Sequence, residues 1–101
     1  MEINHFVKAN VDRTEAAFYP LHDWSPNDWA VALAGEVGEL LNLLKKLRRG
    51  DEISYGDISD EIGDVLACLC LLSARLDIDL EGAAIRKFNE VSQRRGYSVT
   101  L

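Results

Sequence analysis

Four carboxylates occur at matched spacings in two parts of the chain. Glu36 and Glu39 are three residues apart, and so are Glu61 and Asp64. Because residues three apart share one face of a helix, each pair would present two carboxylates along one stripe. Neither pair includes His or Cys, so a bound metal would have oxygen ligands from these side chains. Such ligands suit Mg²⁺, Mn²⁺ or Ca²⁺ rather than Zn²⁺ or a copper centre.

Each pair interrupts a helix face that is otherwise apolar. At roughly 100° per residue, Glu36 and Glu61 project among apolar side chains, while Glu39 and Asp64 fall at the edges of the two apolar arcs. A buried carboxylate without a partner either takes up a proton or attracts a cation. We therefore predict a metal site at these four residues. The alternative is that the acids are solvated or paired with nearby Lys and Arg side chains.

Four helices are predicted to position these acids, over residues 3–18, 26–49, 57–76 and 80–95. Ser25 and Asp79 are suitable N-caps, Gly50 and Gly96 suit the helix ends, and residues 51–56 read as a polar turn. The connections are short, so successive helices should pack antiparallel. We predict one all-α domain over residues 1–101, an antiparallel four-helix bundle.

The stretch from Val65 to Leu72 is apolar on every side of its helix. Such a helix should be buried all round, and a chain of 101 residues offers few elements to cover it. We expect a second subunit to complete the bundle, making the protein a homo-oligomer. A central helix wrapped tightly within a monomer is the alternative.

Composition and histidine positions exclude several classes of function. A net charge of −6 with a pI near 4.8 argues against a nucleic-acid surface. The run from Val65 to Leu72 is far shorter than the ~20 residues of a membrane helix, and the charged N-terminus does not resemble a signal peptide. Cys68 and Cys70 are expected to be reduced, buried thiols in a cytoplasmic protein. A carboxylate-bridged di-iron site would need Glu-x-x-His units, which His5 and His22 do not form.

The acidic motif resembles that of a known family. Gly35-Glu36-Val37-Gly38-Glu39-Leu40, followed by Glu61-Ile62-Gly63-Asp64, is similar to the E-x-x-E … E-x-x-D motif of the MazG-like all-α nucleoside triphosphate pyrophosphohydrolases. The similarity extends over residues 22–97 and includes the Lys-Phe-Asn segment at 87–89. Some relatives begin the motif with two adjacent acids, whereas Gly35 precedes Glu36 here, which removes one possible ligand.

The resemblance implies a four-helix fold that works as a dimer or tetramer. It also implies Mg²⁺-dependent cleavage of a (deoxy)nucleoside triphosphate to the monophosphate and pyrophosphate, with Mn²⁺ as the expected substitute. The metal ligands would be Glu36, Glu39, Glu61 and Asp64. From its place at the edge of the apolar arc, Glu39 is also predicted to orient or deprotonate the attacking water. Glu61 is predicted to be essential for turnover because it carries one charge of the acidic cluster.

Substrate contacts are predicted for three cations and one aromatic residue. Lys46 follows Glu39 by seven residues on the same stripe, and Lys87 and Arg94 share a face of the last helix. Lys87 also matches a basic position in the family. Each of these cations is alternatively a solvated surface charge. Trp24 precedes the Ser25 cap, so it would either pack as a hydrophobic staple or stack on the base.

Two other hypotheses remain open beside a nucleotide pyrophosphohydrolase that clears non-standard or surplus nucleotides. The first is a biosynthetic pyrophosphohydrolase acting on phosphoribosyl-ATP, which the same fold would accommodate. The second is a non-catalytic helical module whose acids bind a basic partner or a structural cation. Turnover of substrates separates the two pyrophosphohydrolases from each other. A melting temperature that does not respond at all to Mg²⁺ would count against both interpretations that include a metal, because a ligand bound only by the folded state must stabilise it.

Overall fold

The computed structural model describes residues 2–101 and is built from helices. The four long helices are α1 (Ile3–Ala17), α2 (Pro26–Arg48), α3 (Tyr55–Arg75) and α4 (Leu80–Arg94), with a short 3₁₀ turn at Leu21–Asp23 between α1 and α2. The described residues contain no strand. The prediction of an all-α fold is confirmed.

Local hydrogen bonds explain where three of the helices begin. The Ser25 hydroxyl accepts from the Asp28 amide at 3.1 Å, and the Asp28 carboxylate accepts from the Ser25 amide at 2.9 Å, which completes a capping box. Asp79 caps α4 by accepting from the amide of Gly82 at 3.1 Å. Ser54 caps α3 in the same way, so this helix starts at Tyr55 rather than in the predicted region of Asp57.

Three residues in the left-handed region lie where helices end. Gly50 (φ 95°) follows α2 and Gly96 (φ 71°) follows α4, as predicted from the freedom of glycine at positive φ. Asp77 (φ 55°) follows α3, where the Ile78 amide donates to the Ser73 carbonyl at 2.9 Å. Asp is one of the few other residues that adopt this conformation readily.

The helices are arranged around α3, which contacts each of the other three. Its main partner is α2. Trp29 packs near Leu71 and Glu36 lies beside Glu61, so residue numbers rise along α2 as they fall along α3, and the two helices are antiparallel as predicted. Among residues 2–101, α2 has no contact with α4. One chain therefore does not surround α2 with helices.

The chain is more extended than a compact domain of its size. Its radius of gyration is 16.2 Å, against about 13 Å for a typical domain of 100 residues. The main buried cluster is small and joins Leu21, Trp29 and Leu71, with the Trp29 indole N–H donating to the Leu21 carbonyl at 3.0 Å. Within the apolar stretch of α3, Cys70 and Leu71 are buried, but Leu66 is 43% exposed. The chain by itself thus covers only part of that stretch.

None of the helices described here combines the length and the apolar character that a bilayer crossing requires.

Candidate metal and nucleotide site

The acidic cluster forms where α2 packs against α3. Glu36, Glu39 and Glu61 each direct a carboxylate oxygen into one group, and these three oxygens all lie within 4.8 Å of one another. Glu36 and Glu61 are half-buried, whereas Glu39 is exposed. The helical spacing of each motif places its acids on one side of their helix, and the antiparallel packing of α2 and α3 brings these two sides together.

Asp64 lies next to this group rather than within it. Its side chain is exposed and lines the same cavity as Glu36, and its negative charge is one of the causes that raise the pKa of Glu36. The structure therefore brings together three of the four predicted metal ligands. It leaves Asp64 at the edge, one helical turn beyond Glu61, facing the cavity.

Burial and mutual repulsion disfavour full ionisation of the cluster. Loss of contact with water raises the pKa of Glu61 to about 7, and a hydrogen bond from protonated Glu61 to Glu36 and the charge of Glu39 act in the same direction. Loss of contact with water also raises the pKa of Glu36, with a further contribution from the charge of Glu39. Without a cation, Glu61 therefore holds its proton to a higher pH than an ordinary carboxyl does.

The residues present fit a hard divalent cation. In the ionised state, one oxygen of Glu36 and one of Glu61 are buried and have no hydrogen-bond donor among residues 2–101. A buried carboxylate oxygen without a donor is costly, and a cation would satisfy both atoms. The three converging groups are all carboxylates, which are ligands that Mg²⁺, Mn²⁺ and Ca²⁺ accept.

A cavity of about 320 Å³ opens beside the acids. Glu36 and Asp64 contribute to its wall from α2 and α3. Polar side chains of α1, aromatic side chains of the α1–α2 connection and of α2, and small or apolar residues of α2 and α3 form the rest. The lining residues from α1 are Asn10, Arg13 and Thr14, and the aromatic ones are Phe18, Tyr19 and Trp24 in the connection and Trp29 in α2. Such a lining suits a nucleotide, because the acids can hold its phosphates through a cation and the aromatic rings can contact its base.

The contribution of α1 to the cavity was not predicted from the sequence. Asn10, Arg13 and Thr14 stand at i, i+3 and i+4, so they share a face of the helix. The periodicity that predicts α1 is that of its apolar residues alone. A polar stripe at helical spacing was the available signal, but nothing in it indicated that α1 would pack next to the acids.

Trp24 packs as the predicted hydrophobic staple. It immediately precedes the Ser25 cap, and its ring centroid lies 4.5 Å from that of Trp29 in the first turns of α2. It also stacks on Tyr19, with centroids 5.0 Å apart and an interplanar angle of 23°. The Arg75 Nε donates to its carbonyl at 2.8 Å. Contact of Trp24 with a nucleotide stays a prediction, and its place in the cavity wall is compatible with it.

None of the three predicted substrate-binding cations lines the cavity beside the acids. Lys46 is half-buried near the end of α2 and does not line the cavity. Lys87 and Arg94 both contact Glu90, at 2.9 Å and 3.7 Å, on the solvent-exposed side of α4. Neither of them lines the cavity beside Glu36, and α4, which carries them, has no contact with α2 in the described chain.

The cysteines are free thiols in the described chain. Cys70 is fully buried as predicted, but Cys68 is only half-buried because it borders the cavity. Burial raises the pKa of both thiols, and the charges of Glu36 and Asp64 add to this effect at Cys68. Neutral thiols at these positions agree with a metal site made of carboxylates alone.

Comparison with known proteins agrees with the acidic motif. The sequence model of the MazG nucleotide pyrophosphohydrolase domain matches residues 25–96, which include all four predicted metal ligands. Human (Homo sapiens) dCTP pyrophosphatase 1 is 32% identical over 97 residues, which cover 85% of this chain and 56% of that protein. The protein of the same name from Bos taurus is 31% identical over 105 residues, with coverage of 91% and 60%.

This chain thus spans a little over half the length of the curated relatives that it matches. The match to the domain is nevertheless continuous through α2, α3 and α4, and it contains both halves of the acidic motif. The resemblance drawn from the sequence is confirmed, and the chain belongs to the MazG nucleotide pyrophosphohydrolase family.

Proposed function

We propose that this domain hydrolyses a (deoxy)nucleoside triphosphate to the monophosphate and pyrophosphate, with Mg²⁺ as its cofactor. The observation that carries the proposal is the convergence of Glu36, Glu39 and Glu61 within 4.8 Å, with two buried oxygens that have no donor. Membership of the MazG family supports the reaction class. The adjoining cavity provides room for the substrate next to the acids.

Each acid has a proposed role. Glu36 and Glu61 would hold the cation through their buried oxygens, and Asp64 would complete the site from its position on the cavity wall. Glu39 is the most exposed member of the converging group, so it is suited both to contact the cation and to orient or deprotonate the attacking water. When bound, Mg²⁺ would offset the charge of the phosphates and activate water.

The names of the relatives suggest a substrate to test first. Two of the matched proteins, from Homo sapiens and Rattus norvegicus, are called dCTP pyrophosphatase 1. We propose a deoxynucleoside triphosphate as the substrate, with dCTP as the first candidate. Its base would lie against the aromatic side of the cavity near Trp24 and Tyr19, while its phosphates would lie near Glu36 and Asp64.

A homo-oligomer is part of the proposal. The high radius of gyration, the small core and the exposure of Leu66 all favour a second copy that covers the α2–α3 pair. A second copy could also bring Lys87 and Arg94 toward the cavity beside the acids, which they do not line within one chain. The free thiols favour a reducing compartment such as the cytoplasm.

The direct test is product analysis with each ribo- and deoxyribonucleoside triphosphate, in the presence of Mg²⁺ and of a chelator. We expect monophosphate and pyrophosphate only with the metal, and the fastest turnover with a deoxynucleotide. Asp60→Asn is the matched control for Glu61→Gln, because Asp60 is an exposed acid next to Glu61 and lies outside the cluster. Release of orthophosphate, or equal turnover with the chelator, would overturn the proposal.

A further inference from the structure

The first helix buries polar rather than apolar side chains. Asn10 and Thr14 are only 3% and 5% exposed, whereas Phe6 on the same helix is 40% exposed. Burial of polar groups is costly unless they are hydrogen-bonded, so a helix that buries them needs a reason to do so. In α1 that buried polar face is the one that borders the cavity beside the acids.

Arg13 is held on this face by a short chain of hydrogen bonds. Its Nη2 donates to the Oδ1 of Asn10 at 3.2 Å, and the Nδ2 of Asn10 donates to the Phe6 carbonyl at 2.8 Å. These bonds fix the orientation of the Asn10 amide and give the guanidinium a defined position. Within residues 2–101, no carboxylate lies within 4.0 Å of Arg13, so its charge is not neutralised by an ion pair.

Arg13 also stands at the boundary between two cavities. Together with Asn10, Asp64 and Ala67, it lines both the cavity that contains Glu36 and a neighbouring one of about 400 Å³ that is bordered by Phe6 and Gly63. It is the one Lys or Arg among the described residues that line either cavity. A ligand held at Glu36 and extending past Asp64 into the second cavity would pass the guanidinium.

We propose that Arg13 binds the phosphate chain of the substrate and that Asn10 is its positioning residue. This inference rests on the proposed function. The acids would hold phosphates through a cation, which offsets only part of their negative charge, and Arg13 supplies positive charge from the opposite helix. A guanidinium can donate two parallel hydrogen bonds to a phosphate, and a hydrogen bond to Asn10 reduces its freedom before the substrate arrives.

Calorimetry with two probes tests the role of Arg13. In the presence of Mg²⁺, we expect Arg13→Gln to weaken the binding of pyrophosphate by about tenfold and Arg13→Lys to weaken it less, since lysine keeps the charge but loses the fork of donors. The affinity for dCMP should change by less than about twofold if Arg13 contacts the β- and γ-phosphates, which dCMP lacks. With the best triphosphate substrate, KM should rise more than kcat falls.

Lys8→Gln is the matched control, because it removes an exposed positive charge from the same helix but not from either cavity. It should leave pyrophosphate affinity unchanged. An equal loss in this variant would mean that Arg13 acts only through the overall charge of α1, which would overturn a direct contact. The melting temperature of each variant without ligand shows whether weaker binding comes from a lost contact with pyrophosphate or from a loss of folding.

The role of Asn10 is tested by combining substitutions. If Asn10 acts by positioning the guanidinium, Asn10→Ala should weaken pyrophosphate binding in the wild-type background and cause no further loss in Arg13→Gln. Equal losses in both backgrounds would show that Asn10 has a general structural role instead. A wild-type protein that hydrolyses triphosphates while Arg13→Gln binds pyrophosphate normally would overturn this inference alone. A wild type that neither hydrolyses triphosphates nor binds pyrophosphate would overturn the proposed function and this inference together.

Discussion

Glu36 and Glu61 lie side by side where α2 packs on α3, each with one buried oxygen that has no hydrogen-bond donor among residues 2–101. Two helices that pack through apolar side chains thus place like charges against each other within their contact. An arrangement of this kind destabilises the folded chain unless a proton or a cation is present. It is the physical basis of the proposed metal dependence and of the first two predictions.

Glu61→Gln should separate catalysis from folding. The amide removes one negative charge from the cluster, so we expect the metal-free variant to be at least as stable as the wild type. Turnover should fall by more than about 100-fold, since even changes to residues that only hydrogen-bond to metal ligands cost about 10–100-fold. Activity assays and thermal melts with and without Mg²⁺ check both parts. Wild-type turnover in this variant would refute the assignment of the site.

The stability of the metal-free protein should fall as the pH rises from about 4.5 to about 7. Burial raises the pKa of Glu61 from its ordinary 4.5 to about 7, so over this range the folded chain retains a proton that the unfolded chain has released. The free energy of unfolding therefore decreases with pH across this window and levels off above it. Urea unfolding in a chelator, at several pH values, measures the effect.

The same variant provides the control for the pH dependence. Glu61→Gln cannot release a proton, so its free energy of unfolding should fall less steeply between pH 4.5 and about 7 than that of the wild type. Saturating Mg²⁺ should stabilise the wild type more at a pH of about 8 than at about 5.5, because the cation competes with protons for the carboxylates. Identical slopes for wild type and variant would contradict the environment described for Glu61.

Trp29→Ala should be strongly destabilising. Trp29 is 3% exposed, packs with Leu21 and Leu71, and donates to the Leu21 carbonyl. Truncation of a buried aromatic side chain costs about 3–5 kcal/mol, which is a large share of the roughly 5–15 kcal/mol that stabilises a typical domain. Tyr55→Ala, at a position 78% exposed, should change stability by no more than about 0.5 kcal/mol. Chemical unfolding at one protein concentration compares the two.

Leu66→Lys should shift the protein toward the monomer. Leu66 is 43% exposed within the stretch of α3 that is apolar on every side, so a charge there would oppose the packing of a second copy. Light scattering should give a multiple of 11.3 kDa for the wild type and a lower mass for the variant. Val99→Lys, also at an exposed apolar residue, should keep the wild-type mass. A wild type that is monomeric at all concentrations would refute the predicted oligomer.

Two of the three helix starts that a local side-chain cap sets were predictable from the sequence. Ser25 and Asp79 cap their helices as expected, because a cap depends only on residues a few positions away. Ser54 falls within the predicted polar turn, although its hydroxyl caps α3 in the same manner. The prediction was wrong there because Ser54 lies among several polar residues, each of which could have started the helix.

The residues that form the site were more predictable from the sequence than their arrangement in space. The spacing of Glu36 with Glu39, and of Glu61 with Asp64, follows from helical periodicity, which is a local property. Periodicity does not say how far one helix slides or rotates against another. That relation brought Glu61 close to Glu36 and left Asp64 on the cavity wall.

Local information in the amino-acid sequence was enough to specify the all-α fold, the helix faces and the two acidic pairs, because these depend on hydrogen bonds and side-chain spacing within one or two turns. The packing of the helices was needed to establish that Asn10 and Arg13 of α1 border the same cavity as Glu36, and that Lys87 and Arg94 do not. These relations join residues far apart in the chain. These relations depend on which helices pack together around α3, and no local sequence pattern specifies that packing.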